Sequence, residues 1–267
     1  MSYENVLYEV SDGVATITLN RPDSYNALSM KMTEELVKIF TKDIPRDKSV
    51  RAVVITGTGK GFTTGADLME LQPVIHEIDI TESLRNGLNT VVSAMRSLEK
   101  PIVCAVNGVA AGAGGSLALA ADYRIASESA SFVFAAFVNI GLVPDAGGTY
   151  LLQKLVGPAK ALELALFADG KNRVGAEQAL ALGVVNKVVP ADDLMTETHT
   201  IASKLALMPT KAIGMTKRAM YNAITSKSLE EAMDYEAQLQ KATFRTHDFQ
   251  EGVAAFIEKR EPNFKGE

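Results

Sequence analysis

The most informative segment for the fold is the glycine-rich stretch Asn107-Gly108-Val109-Ala110-Ala111-Gly112-Ala113-Gly114-Gly115-Ser116-Leu117. It follows the short apolar run Ile102–Val106, which has the composition of a buried parallel strand. A second glycine-rich loop covers residues 57–68 and follows another short apolar run, residues 50–56, in the same way. The sequence therefore contains two strands of the buried type, and each leads into a loop whose backbone a ligand can approach closely.

Further strand and helix patterns alternate through the first two thirds of the chain. Val14–Leu19 alternates β-branched residues as a strand does, and residues 123–126 and 184–189 are weaker strand candidates. Residues 30–40 and 84–98 place apolar side chains at helical spacings between the strands. Repeated strand–helix alternation predicts an α/β fold.

The chain changes character after Pro190, beyond which nearly all of the sequence is amphipathic helix. Residues 229–239 and 249–257 are the clearest examples. We place a soft boundary near residue 195, which gives an α/β core over residues 1–195 and a helical oligomerisation region over residues 196–267. A helical tail of this kind usually packs on a neighbouring element or on a partner subunit.

The composition excludes several classes of protein. Of the 267 residues, 47% are hydrophobic, so the chain can bury a full core. The net charge of −5 argues against a nucleic-acid-binding protein, because such proteins usually carry a basic face. The short basic cluster of Lys211, Lys217 and Arg218 is interpreted as the solvated side of a helix. No apolar segment is long enough to span a bilayer, and Met1-Ser2-Tyr3-Glu4-Asn5 lacks the pattern of a secretory signal, so we expect a soluble cytoplasmic protein with no membrane partner.

Cysteine and histidine residues give no sign of a metal or nucleophile site. Cys104 is the single cysteine and lies within an apolar run, so we interpret it as an inert core residue. His76, His199 and His247 are far apart in the sequence and are interpreted as surface residues. We therefore expect no metal and no cofactor.

Neither glycine-rich loop has a nucleotide-binding pattern. Lys60 is followed by Gly61 rather than by Ser or Thr, and neither loop has the last glycine of the dinucleotide fingerprint. A helix that begins near Ala113 would instead offer N–H groups with no internal acceptor and with partial positive charge. A second free N–H near Ala66 would complete an oxyanion hole, a pair of donors for charge that develops on a carbonyl oxygen.

Several segments together resemble the crotonase, or enoyl-CoA hydratase/isomerase, superfamily. The order and spacing of the segments carry the resemblance over almost the full length of the chain, whereas no single segment is specific. The segments are Leu19-Asn20-Arg21-Pro22, Asn26-Ala27-Leu28, Phe62-Thr63-Thr64-Gly65-Ala66-Asp67-Leu68, Pro101-Ile102-Val103-Cys104-Ala105-Val106-Asn107-Gly108 with the glycine-rich stretch after it, Gly141-Leu142-Val143-Pro144-Asp145-Ala146-Gly147-Gly148-Thr149, and Glu251-Gly252-Val253-Ala254-Ala255-Phe256-Ile257-Glu258-Lys259-Arg260.

The resemblance implies a spiral of β-β-α units with a C-terminal helical region. It also implies a homotrimer or a hexamer built as a dimer of trimers. The substrate would be an acyl-CoA, whose thioester oxygen the backbone N–H groups of Ala66 and Ala113 would hold.

The resemblance also implies where coenzyme A and the acyl group bind. Coenzyme A would bind partly through the backbone around Ser24, Tyr25 and Ala27. The C-terminal helix near Phe256 and Lys259, often from a neighbouring subunit, would contact the nucleotide end. Further substrate contacts are expected from residues of the two loops and of the 141–149 segment: Thr64, Ala66, Asp67, Leu68, Val109, Gly112 and Leu142.

Two departures from the superfamily pattern bear on the reaction. The hydratases of the superfamily use two glutamates, and the matching positions here are Ser116 and Ala136. Alanine and an unassisted serine cannot replace that acid–base pair at neutral pH. Efficient hydration is therefore disfavoured.

One acidic candidate remains, Asp145. From the residues alone, an aspartate just before a predicted helix at residues 149–155 is more simply an N-cap. The surrounding segment, however, resembles the 1,2-epoxyphenylacetyl-CoA isomerases and Δ3,Δ2-enoyl-CoA isomerases, in which a lone carboxylate near this position moves the proton. We therefore predict an isomerase with Asp145 as its acid/base. The apolar neighbours expected to raise its pKa are Phe132, Phe134, Phe137 and Leu142.

Three alternatives stay open at this point. An enoyl-CoA hydratase with a non-standard acid/base set is the main one. Asp145 could instead act as a nucleophile, as in aromatic acyl-CoA dehalogenases, although the chain has no tryptophan for the aromatic ring. Loss of both glutamates also fits a non-catalytic CoA-binding subunit.

Overall fold

Strands occupy the first three quarters of residues 3–267, the part of the chain that the computed structural model describes. Met1 and Ser2 lie outside the described residues. The start of the predicted core and part of the predicted N-terminal segment fall on these two residues. The strands are β1 (Val6–Ser11), β2 (Val14–Leu19), β3 (Ala52–Gly57), β4 (Gly61–Thr63), β5 (Ile102–Val106), β6 (Val109–Ala111), β7 (Tyr123–Ser127), β8 (Ser131–Val133), β9 (Val174–Gly175) and β10 (Lys187–Val189).

Helices fill the connections between the strands and form the C-terminal region. They are α1 (Met30–Lys38), α2 (Ile44–Arg46), α3 (Leu68–Leu71), α4 (Ile80–Asn86), α5 (Leu88–Ser97), α6 (Ala113–Ala120), α7 (Gly148–Val156), α8 (Pro158–Phe167), α9 (Ala176–Ala181), α10 (Leu194–Leu207), α11 (Thr210–Ala223), α12 (Leu229–Thr243) and α13 (His247–Glu258). No helix within residues 3–267 is long and apolar enough to cross a membrane.

The strands form two sheets, and from β3 to β8 consecutive strands alternate between them. The six-stranded sheet has the order β1-β2-β3-β5-β7-β10 and the four-stranded sheet has the order β4-β6-β8-β9. In the first sheet only the β1–β2 pair is antiparallel, and in the second only the β8–β9 pair. The step from the large sheet to the small sheet occurs at β3–β4, β5–β6 and β7–β8, and a helix or a 3₁₀ turn follows each short strand. This repeated step is the predicted spiral of β-β-α units, and the predicted fold is confirmed.

Both faces of the large sheet are covered, because side chains alternate along each parallel strand. In β3, Val53 and Ile55 pack into the main core, whereas Ala52 and Val54 pack on the other face. That other face is covered by α10, through residues that include Ala202. Helix α10 thus belongs to the cover of the sheet although it begins at the predicted boundary. The division of the chain at residue 195 into two units remains a prediction.

The predicted bounds of strands and helices agree best with the observed bounds where the sequence is a continuous apolar or β-branched run. Val14–Leu19 and Ile102–Val106 are strands over the predicted residues, and Cys104 is fully buried. The predicted helix over residues 84–98 is wrong in one respect, because Gly87 divides it into α4 and α5 with φ −100° and ψ −114°. The predicted helix over residues 30–40 ends as α1 at Lys38, and a π-helical turn continues the chain to Asp43.

The interpretation of the basic cluster on α11 is wrong for Lys217. Its side chain is buried, with an exposed fraction of 8%, and its Nζ lies 2.6 Å from a carboxylate oxygen of Asp122. Tyr221, one turn further along α11, donates its hydroxyl to the same carboxylate. Helix α11 is therefore attached to the sheet by a buried ion pair rather than facing solvent with its basic side.

Candidate active site

Gly112 makes the turn from strand β6 into helix α6. Its φ of 53° and ψ of −125° lie where L side chains rarely fit. Its N–H donates to the carbonyl oxygen of Val133 on the neighbouring strand β8 at 3.0 Å. The helix consequently begins at Ala113, as the sequence predicted, with its first N–H groups free of intrahelical acceptors.

Gly65 allows the first glycine-rich loop to lie directly against the start of α6. A Cβ atom at Gly65 would come within 2.7 Å of the carbonyl oxygen of Ala111 and 3.2 Å of the nitrogen of Ala113. On its other side the loop is held by Leu28, whose N–H donates to the carbonyl of Gly65 and whose carbonyl accepts from the N–H of Asp67. Leu28 therefore bonds to the carbonyl before Ala66 and to the N–H after it, and the N–H of Ala66 itself has no acceptor among the described residues.

Ala66 and Ala113 therefore contribute two backbone donors to one cavity. Both residues line it. Within residues 3–267, neither of their N–H groups has a hydrogen-bond acceptor. The Ala113 N–H also carries the partial positive charge of a helix N-terminus. Donors in this arrangement can stabilise negative charge on an oxygen atom that reaches both of them.

Asp145 lies in the wall of the same cavity. Its Oδ1 atom is buried, and no partner for it lies among the described residues. Burial raises the pKa of this carboxyl to about 6, against a small lowering from a hydrogen bond with its own backbone. The N-cap alternative is excluded, because α7 begins at Gly148 after Gly147 with no side-chain cap. The carboxylate is therefore free to act in the cavity.

The backbone at Asp145 is held by two hydrogen bonds. Its carbonyl oxygen accepts from the N–H of Gly148 at 2.8 Å and from the buried hydroxyl of Ser116 at 3.0 Å. Ala146, which follows it, is buried and has a φ of 48°, a left-handed conformation that costs free energy in a residue with a side chain. Ser116 is buried in α6, and its hydroxyl positions the Asp145 segment.

An ion pair joins the predicted coenzyme A loop to the oxyanion loop. Arg21 donates from Nη1 to the carbonyl of Ala27 at 2.6 Å and to Oδ2 of Asp67 at 2.8 Å. The other carboxylate oxygen of Asp67 accepts from the N–H groups of Met69 and Glu70, so Asp67 caps α3. These bonds fix residues 24–27 beside the loop that carries Ala66.

The cavity has a volume of about 570 Å³, within the range typical of sites for small molecules. Ala136, at the position of a hydratase glutamate, lines it next to apolar side chains of the 137–142 segment. The predicted site residues that line the cavity are Thr64, Ala66, Leu68, Gly112, Ala113, Leu142 and Asp145.

The other predicted site residues lie outside the cavity wall. Val109 is in β6, where it pairs with Gly61. Phe256 is 85% exposed on α13, and Lys259 ends that helix with a φ of 54°. Of the four expected apolar neighbours of Asp145, Phe137 and Leu142 line the cavity. The remaining predicted residues outside the wall are Ser24, Tyr25, Ala27 and Asp67, and the two buried rings that do not line it are Phe132 and Phe134.

One part of the cavity lining has no signal in the sequence. Met30, Thr33 and Val37 of α1 line it, as do Ile80 and Leu84 of α4. The apolar spacing in residues 30–40 indicated the core face of α1, but nothing in that pattern distinguishes a second face that borders a cavity from one that borders solvent. The described residues contain no group of three or more metal-ligating side chains.

The comparisons with known proteins agree over nearly the full chain. A family model described as Enoyl-CoA hydratase/isomerase matches residues 9–267. The 1,2-epoxyphenylacetyl-CoA isomerase of Escherichia coli (strain K12) is 40% identical over 98% of this chain and 99% of its own length. A Rhodobacter capsulatus protein named "Probable enoyl-CoA hydratase" is 42% identical over 100% of both chains. A solved enoyl-CoA hydratase subunit I structure from Geobacillus kaustophilus superposes with a TM-score of 0.89 at 37% identity over 99% of both chains.

Proposed function

Since the chain belongs to the enoyl-CoA hydratase/isomerase family, we propose that it is an acyl-CoA isomerase that shifts a double bond from the Δ3 to the Δ2 position of an enoyl thioester. The observation that carries the proposal is the partly buried carboxylate of Asp145, with an unpaired oxygen, in the cavity wall. The same proton chemistry would serve a 1,2-epoxyphenylacetyl-CoA or oxepin-CoA substrate, as the name of the Escherichia coli relative suggests.

In the proposed reaction Asp145 acts first as a base and then as an acid. Its carboxylate removes a proton from C2 of the 3-enoyl thioester, and the electron pair of that C–H bond delocalises into a dienolate. The carboxylic acid then returns the proton at C4, so that the double bond moves and Asp145 is regenerated as a carboxylate. A pKa of about 6 suits both steps near neutral pH.

The N–H groups of Ala66 and Ala113 are proposed to stabilise the dienolate. Both donors are unpaired within the described chain and both residues line the cavity, which supports this role. Hydrogen bonds to the thioester oxygen strengthen as that oxygen becomes negative, so they lower the barrier rather than only binding substrate. Loss of one such donor typically raises the barrier by about 3 kcal/mol.

Hydration of a 2-enoyl thioester is the second candidate, favoured by the name of the Rhodobacter capsulatus relative. Ala136 has no group that could activate water, and the Ser116 hydroxyl donates to the Asp145 carbonyl. Asp145 would have to act alone on both water and substrate. We therefore rank hydration below isomerisation.

The remaining parts of the site follow from the resemblance and stay proposals. Coenzyme A is proposed to lie against residues 24–27, which Arg21 and Asp67 hold beside the oxyanion loop. Because Phe256 and Lys259 are on the outer surface, a second copy of the chain would have to bring them to the nucleotide. The proposed assembly is a homotrimer or a dimer of trimers, and the reaction needs no cofactor or metal.

The test is the product formed from 3-hexenoyl-CoA and from 2-hexenoyl-CoA, followed by ultraviolet absorbance and mass. An isomerase converts the first into the second with no change in mass and adds no water to the second. A gain of one water would support the hydratase instead. Binding of both thioesters without turnover would point to a non-catalytic CoA-binding subunit.

A further inference from the structure

The cavity extends beyond Asp145 along one face of α1 and of the π-helical turn that follows it. Met30, Thr33, Val37 and Thr41 line it at spacings of three and four residues, which places them on one side of the helical segment. At 1.5 Å of rise per residue, the distance from Met30 to Thr41 along this segment is about 16 Å. The lining thus forms an elongated groove, which we call the α1–α4 groove.

The opposite wall of the α1–α4 groove comes from α4 and the end of α3. Ile80, Ser83 and Leu84 line it from α4, and Leu71 lines it from α3. At the base, Gly87 packs on Thr33 so closely that a Cβ atom there would lie 3.1 Å from the Thr33 methyl carbon. Residues of α1 and of α3 and α4 thus line one cavity, and Gly87, directly after α4, lies in close contact with Thr33.

The groove is apolar where it leaves the catalytic end. Of the carboxylates that border it, Glu70 accepts from the N–H of Met30 at 2.9 Å, and Glu34 is exposed near Lys31. The exposed side chains of Lys38 and Lys42 lie at the far end beside Thr41. The middle of the groove thus offers apolar contact, and its distal end meets solvent.

We propose that the α1–α4 groove binds a linear acyl chain of about ten or more carbons, with Val37 and Thr41 as specificity-determining residues. The inference rests on the proposed function for the position of the thioester end beside Asp145. A short acyl chain or a phenyl ring would leave the groove unfilled between Val37 and Thr41. A long chain would bury that apolar surface.

The test measures kcat/KM for 3-enoyl-CoA substrates with six, eight, ten and twelve carbons. Each methylene that enters an apolar groove contributes about a fourfold gain, so kcat/KM is expected to rise along the series. Val37→Trp is expected to lower the ratio of kcat/KM for twelve carbons to that for six by about tenfold or more. Thr41→Trp is expected to affect the twelve-carbon substrate first, because Thr41 lies one turn beyond Val37 along the helical segment.

Val10→Trp is the matched control, since it places the same ring on the exposed part of strand β1. It is expected to leave all four rates unchanged. Because Thr41 is exposed, Thr41→Trp keeps the proposal testable if Val37→Trp does not fold. Equal kcat/KM for all four chain lengths, or a ratio unaffected by Thr41→Trp, would overturn the inference while isomerisation of the six-carbon substrate stands. Failure to isomerise any of the four would instead overturn the proposed function.

Discussion

Ionisation of the Asp145 carboxyl group costs free energy, because burial disfavours its charged form. Its pKa of about 6 lies above the ordinary range, and a general base acts only when deprotonated. The rate of isomerisation is therefore expected to fall as the pH drops through about 6, rather than near 4. The measurement is kcat/KM for 3-hexenoyl-CoA between pH 4.5 and 8. A rate that stays constant down to pH 4.5 would contradict this environment for Asp145.

Gly148 keeps space for the hydroxyl group that holds Asp145 in place. A Cβ atom at position 148 would collide with Oγ of Ser116, and both residues donate to the Asp145 carbonyl. Gly148→Ala is expected to lower kcat about tenfold or more, because small displacements of a reacting group are costly. The double variant Ser116→Ala, Gly148→Ala removes the colliding atom and is expected to be faster than Gly148→Ala alone. If the double variant is no faster, the collision is not the cause.

Individual site residues could be predicted only as far as the resemblance reached. Asp145, Ala66 and Ala113 line one cavity, and their catalytic roles remain predictions. The unpaired state of the Asp145 oxygen and the bond from Ser116 were beyond prediction, because both depend on how residues distant in sequence pack. The left-handed backbone at Ala146 gave no sequence signal, since alanine seldom adopts that conformation.

At the scale of elements, helix α11 depends on a buried lysine. Lys217 pairs with Asp122 at 2.6 Å, and desolvation lowers the pKa of this lysine while the Asp122 carboxylate opposes the change. Lys217→Met is expected to lower the free energy of unfolding by about 2–4 kcal/mol, because the carboxylate stays buried without its partner. Chemical denaturation measures the change.

Lys211 provides a control on the same helix. It pairs with Glu99 at 2.8 Å, but its side chain is 38% exposed. Lys211→Met is expected to lower the free energy of unfolding by less than about 1 kcal/mol, since exposed ion pairs contribute little. Equal losses for the two variants would show that burial of Lys217 does not determine the stability of α11.

Elements with one dominant pattern were predicted well, and elements with mixed character were not. The all-apolar run Ile102–Val106 is a strand at the predicted bounds because both of its faces are buried. The break at Gly87 was missed because the apolar spacing continues through it. Lys217 was misjudged because a charged residue next to Arg218 resembles a solvated face until its buried partner is known.

For the whole molecule, the C-terminal helix presents an apolar face with no cover in a single chain. Phe249, Val253, Phe256 and Ile257 recur at spacings of four, three and one residues along α13 and are 38%, 44%, 85% and 71% exposed. Exposed apolar surface of this extent marks an interaction site. Phe256→Lys is therefore expected to shift the proposed oligomer towards smaller species in analytical ultracentrifugation. Gln250→Lys, on the exposed part of the same helix, should leave the mass unchanged, and an equal effect of both would contradict an apolar interface on α13.

The architecture was predictable because the strand and helix patterns agree with the resemblance over almost the full length of the chain. The observed sheets follow the predicted β-β-α spiral. The shape of the cavity was not predictable. It depends on how far α1 and α4 stand apart, which is set by tertiary contacts such as that between Gly87 and Thr33. We expect that separation to determine the acyl preference proposed above.

The measurement that tests the central claim most directly is turnover of 3-hexenoyl-CoA by the wild type and by Asp145→Asn. The amide keeps the shape of the side chain but cannot take a proton at neutral pH, so kcat is expected to fall about 10²- to 10⁴-fold. Binding of the substrate should be retained, because the cavity wall and the N–H groups of Ala66 and Ala113 are unchanged. Isomerisation by Asp145→Asn at close to the wild-type rate would contradict the assignment of Asp145 as the acid/base.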